Sequence, residues 1–213
     1  MADPTRISEF QLESSYISKW EKEYRDTESA NDKKDICQLE WKHFTSNGIK
    51  KQDPYDDSII EVCEIRRLPL SRVSNPKHIP YIAVIKEWSK GYHLIVPFSR
   101  FSIPAVRGEM ESKINKDTLR VLEVWNGMVV PDDLIAESWI VPLIKLDIAV
   151  TNDVSDLFRC LATNIPLSPT FSSKLGPSLT GPGDLRNSYL SEEKAQYAPL
   201  MGLIRDRLHE QLN

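Results

Sequence analysis

Two apolar runs separated by three residues constrain this chain more than any other feature: YIAVIKEW (Tyr81–Trp88) and YHLIVPF (Tyr92–Phe98). Branched and aromatic side chains dominate both, as suits pleated, half-buried backbone. Ser89-Lys90-Gly91 lies between them, and Gly91 is able to take positive φ. The pattern predicts a β-hairpin over 81–98. A lone hairpin is marginal in water, so more strands must join it.

The flanking sequence offers them. Ile59 to Leu68 is rich in branched residues, and Pro69 to Pro80 is a loop broken by three prolines. Ser99 to Asp117 is a long irregular connection. Thr118 to Trp125 (TLRVLEVW) reads as the next strand. Asn126-Gly127 then gives a type I′ turn signal, with Met128 to Val130 returning. Trp139 to Leu146 reads as a last strand bent at Pro142.

Helices are expected on both sides. Phe10, Tyr16, Ile17, Trp20 and Tyr24 recur at three- and four-residue steps, which predicts an amphipathic helix over 7–27 with an aromatic face. Ile36 to Phe44 fits either a strand or a helix, and Lys50 to Ser58 is a charged loop. Pro131-Asp132-Asp133-Leu134 looks like a helix start. Thr151 or Asn152 is placed to cap a helix over 154–163, with Leu157, Phe158 and Leu161 inward. Asn164 to Ser188, rich in Pro, Gly, Ser and Thr, reads as a linker or a surface-hugging arm. Ser191 opens a final helix that Pro199 kinks or restarts. Leu200, Leu203, Ile204, Leu208 and Leu212 form its apolar stripe.

Composition narrows the classes. The chain has 213 residues, 40% hydrophobic and 27% charged, enough apolar material for a real core. No apolar run approaches the roughly 20 residues of a membrane helix, and the polar N-terminus is not a secretory signal. A cytoplasmic setting with no membrane partner is expected. The net charge of −4 is unevenly spread. Residues 61–120 hold 11 basic and 6 acidic residues, whereas 1–60 hold 9 and 13, and 121–213 hold 7 and 12. Arg66, Arg67, Arg72, Lys77, Arg100 and Arg107 are the main contributors to this positive third, which can attract phosphates or an acidic partner. Folding of the acidic flanks onto it is the simpler outcome, because the whole chain is acidic.

Cys37, Cys63 and Cys160 are odd in number and widely spaced, which argues for reduced thiols rather than a disulfide framework or a zinc site. His43, His78, His93 and His209 are scattered, so no metal site and no cofactor is proposed. No phosphate-binding, dinucleotide-binding, nucleophile-elbow or zinc-protease motif occurs. Asp56-Asp57 and Asp132-Asp133 are explained by a solvated loop and a helix start. Trp88, Trp125 and Trp139 suit a stacking groove for bases or a peptide, although core packing accounts for them more simply.

Pro80-Tyr81-Ile82-Ala83-Val84-Ile85 and Leu94-Ile95-Val96-Pro97-Phe98-Ser99 resemble two strands of the PemK/MazF-like toxins, small SH3-like barrels that cut RNA. Leu119 to Leu134 is similar to the later strand, turn and short helix of that family. The resemblance covers roughly a third of the chain. It implies metal-free acid–base chemistry at the 2′-hydroxyl, with a cation for the phosphate and a proton acceptor. The family's catalytic Arg is Ile79 here, and Ser99 stands where Thr is usual. Ser99, Arg100 and His78 are the catalytic candidates, with His93 as a further histidine that also suits a core or strand-edge role.

The combined expectation is an α+β protein. Residues 1–58 form a helical extension, 59–150 a small SH3-like antiparallel β-barrel, and 151–213 a helix, a Pro/Gly-rich linker and a C-terminal helix. The expected function is a non-catalytic binding or interaction module, a degenerate PemK/MazF-like protein. Arg66, Arg67, Arg72, Lys77, Arg107 and Trp88 would contact a protein or RNA partner, and a homodimer is compatible with that. The rival is a metal-independent RNA endonuclease of the toxin type.

Overall fold

Tyr81 to Ile85 is buried without interruption, which a strand achieves only when both faces of its sheet are covered. That requirement organises the molecule. The structure is a computed structural model, and it describes residues 4–31, 60–74, 78–172 and 174–212. The expectations for Ile36–Phe44 and Lys50–Ser58, for Cys37 and His43, and for Lys77 lie outside the described residues.

In chain order the elements are α1 (Pro4–Asn31), β1 (Glu64–Arg67), β2 (Tyr81–Ser89), β3 (Tyr92–Pro97), β4 (Glu109–Glu111), β5 (Val121–Glu123), β6 (Met128–Pro131), α2 (Asp132–Ala136), β7 (Trp139–Lys145), α3 (Ile148–Thr163), α4 (Pro169–Ser172), α5 (Arg186–Gln196) and α6 (Ala198–Leu212). The predicted hairpin is β2–β3, antiparallel, with Gly91 at φ 81° in its turn. It sits inside a five-stranded antiparallel sheet of order β6-β3-β2-β1-β7. β4 and β5 form a second sheet of two strands.

The α+β class holds, but the barrel does not. The large sheet is open, with β6 and β7 at opposite edges, and β5 belongs to the other sheet. The expected Thr118–Val130 hairpin is therefore absent. Residues Val124–Asn126 make a 3-10 turn, and Gly127 leaves it extended at φ −63°, carrying the chain from one sheet to the other. Gly127 serves close packing rather than a type I′ turn, since a Cβ there would stand 2.9 Å from the Phe158 ring.

Alternate residues of β2 enter two cores. Tyr81, Ala83 and Ile85 join Val150, Val154 and Leu157 of α3, together with Met110 and Leu122 of the small sheet. Ile82 and Val84 join Leu134 and Ile135 of α2, and Leu200 and Ile204 of α6, on the opposite face. Phe98 bridges to Leu122, so the sheets touch where β3 ends. The helix over α3 begins earlier than Thr151 suggests. Asp147 is its cap, accepting from the Ala149 N–H at 2.7 Å, and Leu161 faces solvent. Ser191 lies within α5 rather than at its start. The Pro/Gly-rich arm hugs the surface: Leu175 bridges to Met110, and a Cβ on Gly176 would lie 2.5 Å from the Val106 carbonyl oxygen.

Candidate functional site

A third core forms where α1 and α5 meet the small sheet. Trp20 and Tyr24 of α1 pack with Phe101, Ala105, Val106 and Tyr189 of α5. The Trp20 and Tyr189 rings are 5.4 Å apart, and the Phe101 ring meets Tyr189 edge-on at 5.2 Å. The aromatic periodicity of α1 thus serves packing.

Beneath these rings lies a polar cluster. Glu109 of β4 and Glu123 of β5 are directly opposed across the small sheet, and neither is exposed to solvent. The Tyr189 hydroxyl reaches Glu109 Oε1 at 2.7 Å, Glu123 Oε1 at 2.9 Å and Ser99 Oγ at 2.9 Å. Glu109 also accepts from the Ala105 N–H at 2.5 Å and from Trp125 Nε1 at 3.1 Å. Asn126 Nδ2 donates to Glu123 Oε2 at 3.1 Å, and the Phe101 N–H donates to Ser99 Oγ at 3.2 Å. Burial holds both carboxyls well above the ordinary carboxylate range. The charge of Glu123 adds to the effect at Glu109, as that of Glu193 does at Glu123. Burial and these same carboxylates raise the Tyr189 phenol.

Arg100 stands beside the cluster as its cation. Its guanidinium contacts Glu28 at 3.1 Å, Glu192 at 2.7 Å and Glu193 at 3.1 Å, and its side chain is only 2% exposed. Tyr24 donates to Glu192 at 3.1 Å, so α1, α5 and the Ser99–Phe101 segment are tied together. Ser102 donates through its N–H and its hydroxyl to Glu23 of α1.

The catalytic candidates do converge, but they face inward. Ser99 is fully buried against Tyr189, and Arg100 is held by three carboxylates. His78 donates from Nε2 to the Phe98 carbonyl at 3.2 Å, and its Nδ1 is buried without a partner among the described residues. Burial, and then the Arg100 charge, pushes the His78 pKa down to about 4, so the ring is neutral. Two clefts open nearby, one lined by Ile17, Glu21, Arg25 and Asp184, the other by Tyr16, Lys113, Asp153 and Lys174. Neither is lined by Ser99, Arg100 or His78. His93 is buried near the start of β3, an interior strand, and pairs with Asp132 at 2.7 Å.

The binding candidates do not form one surface. Arg66 is fully buried and bridges to Glu64 at 2.8 Å. Arg67 is buried over the Trp139 ring at 5.9 Å, and Arg72 pairs with Glu137. Arg107 is exposed near Ser172. Trp88 is half exposed and meets Phe158 edge-on, with Lys86 over its face at 4.9 Å. Trp125 is tied to Glu109, so each of the three tryptophans has its own neighbours. The acidic flanks do fold back, since Glu28, Glu192 and Glu193 neutralise Arg100.

Sequence reading missed Glu109, Glu123 and Tyr189. One signal was present: Glu123 is a lone carboxylate inside the apolar run VLEVW. Among the described residues, no group of three or more His, Cys, Asp or Glu is placed to hold a metal ion, and no helix is long and apolar enough to cross a membrane. No family model, curated protein or solved structure matches this chain.

Proposed function

We propose that the chain is a non-catalytic interaction module that docks a folded protein partner on the β7 edge of its large sheet, with Leu143 as the anchor. One observation carries this reading. Leu143 is fully exposed, at 105% of its reference area, and is held at φ 64°. A left-handed conformation costs a non-glycine residue roughly 1–2 kcal/mol. Exposure of a leucine forgoes roughly 2 kcal/mol of burial. The backbone pushes it out by a wide bulge, because Glu64 opposes Lys145 while Arg66 already opposes Ile140. Residues 141–144 thus stand against Ile65 alone. Trp139 and Ile148, at either end of the same segment, are also exposed.

Pro142 and the bulge interrupt the edge, which disfavours strand addition and favours a socket-type partner. Chemistry favours protein over RNA. Arg66, Arg72 and Arg100 are engaged by Glu64, by Glu137, and by Glu28, Glu192 and Glu193, whereas phosphate binding needs available cations. The toxin-type reading needs Ser99 and Arg100 within reach of RNA, and both are sealed. The free thiols Cys63 and Cys160 suit a cytoplasmic setting.

Two measurements test the reading. Mixed-sequence RNA incubated with the protein in EDTA is expected to stay intact. Discrete cleavage that Arg100→Ala abolishes would restore the endonuclease. A photo-crosslinking residue at position 143 is expected to trap one protein partner in extracts of the source cells, while the same probe at exposed Leu179 traps none. Equal trapping at both sites refutes the anchor, and an adduct of twice the chain's own mass replaces the partner with a second copy.

A further inference from the structure

Hydrogen-bond counting fixes a proton that the sequence does not announce. A tyrosine hydroxyl has one proton to give. Tyr189 lies within hydrogen-bond distance of Glu109, Glu123 and Ser99 at once. It donates to at most one of the two carboxyls. Whichever way the Ser99 hydroxyl turns, the other carboxyl must carry its own proton if both contacts are hydrogen bonds.

The remaining donors say which one. Glu109 receives two N–H groups, from Ala105 and Trp125, besides the tyrosine, and three donors suit a carboxylate. Among the described residues, Glu123 receives only the Asn126 amide besides the tyrosine contact. The consistent arrangement has Tyr189 donating to Glu109, while Glu123 and Ser99 both donate to the Tyr189 oxygen. Every polar atom of the hub is then satisfied.

We propose that this single proton on Glu123 is a latch: it holds α5 against the small sheet, and its loss at alkaline pH releases α5 together with the α1 face that α5 clamps. The charged surroundings favour release once the proton leaves. Glu109 opposes Glu123 across the sheet, and Glu193 on α5 is nearly fully buried beside it. Glu192 and Glu28 crowd the same guanidinium, Arg100, which is the cation facing all of them. Arg186 is bound to Asp184 and to backbone carbonyls. Tyr197 and His78 flank the cluster as neutral groups, and Tyr24 and Tyr16 of α1 face it as phenols. Among the described residues facing the cluster, a second anion would have to share Arg100 with three carboxylates. Burial first, and then the neighbouring carboxylates, raise both Glu109 and Glu123.

Infrared spectroscopy of the unmodified protein tests the proton directly. At neutral pH exposed carboxyls are ionised, so a protonated-carboxyl carbonyl band is expected from the hub alone. It should vanish in Glu123→Gln and persist in Glu109→Gln. Absence of the band in the native protein, or its persistence in Glu123→Gln, overturns the assignment. Hydrogen exchange tests the latch. Between about pH 6 and about pH 9.5, after correction for intrinsic rates, protection of α5 and α1 should fall at least about tenfold in the native protein. In Glu123→Gln, whose amide can donate to Tyr189 and accept from Asn126, it should stay constant. Unchanged protection in the native protein, or an equal loss in Glu123→Gln, refutes release by this proton. Should Glu123→Gln not fold, the Glu109→Gln band still decides the assignment, its loss placing the proton on Glu109, and native exchange decides the latch.

Discussion

Replacing Tyr189 with Phe removes one oxygen and leaves the ring that Trp20 and Phe101 pack against. No cavity larger than a hydroxyl forms, so the effect isolates the hub. Three contacts are lost, at 2.7, 2.9 and 2.9 Å. The bond to ionised Glu109 is worth roughly 1.5–3 kcal/mol, and the two neutral ones about 1 kcal/mol each. Glu109 keeps two donors, which limits its loss, while the buried Glu123 proton loses its acceptor. The expected cost is roughly 3–5 kcal/mol. For a chain of this length that corresponds to a fall in Tm of about 10–15 °C. Urea unfolding followed by circular dichroism measures it as a shift in midpoint at constant slope. Ser99→Ala is the internal comparison, since it removes one neutral donor to Tyr189 and the acceptor of the Phe101 N–H, and should cost about 2 kcal/mol. If Tyr189→Phe costs no more than Ser99→Ala, the hydroxyl is not the hub and the proton count fails with it.

Stability should pass through a maximum in mildly acid solution. His78 is held below its ordinary 6.5, at about 4, so the native state binds fewer protons than the unfolded chain, and stability is lost as pH falls from about 6.5 toward about 4. Glu109 and Glu123 are shifted the other way. There the native state retains a proton that the unfolded chain gives up above about 4.5, and stability is lost as pH rises, by up to about 1.4 kcal/mol per unit for one proton. Urea midpoints across the range should show both limbs, with His78→Gln flattening the acid one; a monotonic profile contradicts the assignment. Gly176→Ala should cost roughly 1–3 kcal/mol, because the new Cβ meets Val106 backbone atoms at 2.5–2.9 Å, whereas Gly183→Ala meets nothing and should leave Tm unchanged. Leu143→Gly should keep or slightly raise Tm by relieving the left-handed strain, while abolishing capture of the same partner by a photo-crosslinking residue at exposed position 148. A destabilised variant would mean that Leu143 supports the fold instead.

The elements that were legible carried their signal locally. The β2–β3 hairpin was written in two adjacent apolar runs and a glycine, and the break between α5 and α6 in Pro199. The barrel is expected because several short strands joined by tight turns suit a closed cylinder, but the same signals suit an open sheet. In fact Tyr81–Ile85 is covered by α3 on one face and by α2 and α6 on the other. β4 was invisible: Glu109-Met110-Glu111 reads as loop, since its outer residues are charged. The hub was illegible for a different reason. Glu109, Glu123 and Tyr189 come from three distant segments, and no spacing rule joins them. Arg66 and Arg67 looked like surface cations because neighbouring arginines are usually solvated, yet Glu64 and Trp139 draw them in.

Because Tyr189 follows Glu123 by 66 residues, the hub has a temporal side. A ribosome that has emitted β4 and β5 has produced both carboxyls but not the hydroxyl that reconciles them. Until α5 emerges, that corner of the nascent chain stays hydrated and Trp20 lacks one of its stacking neighbours. A product that stops between β5 and α5 would therefore present an open, acidic, aromatic-rich seam to the proteases that clear unfinished chains.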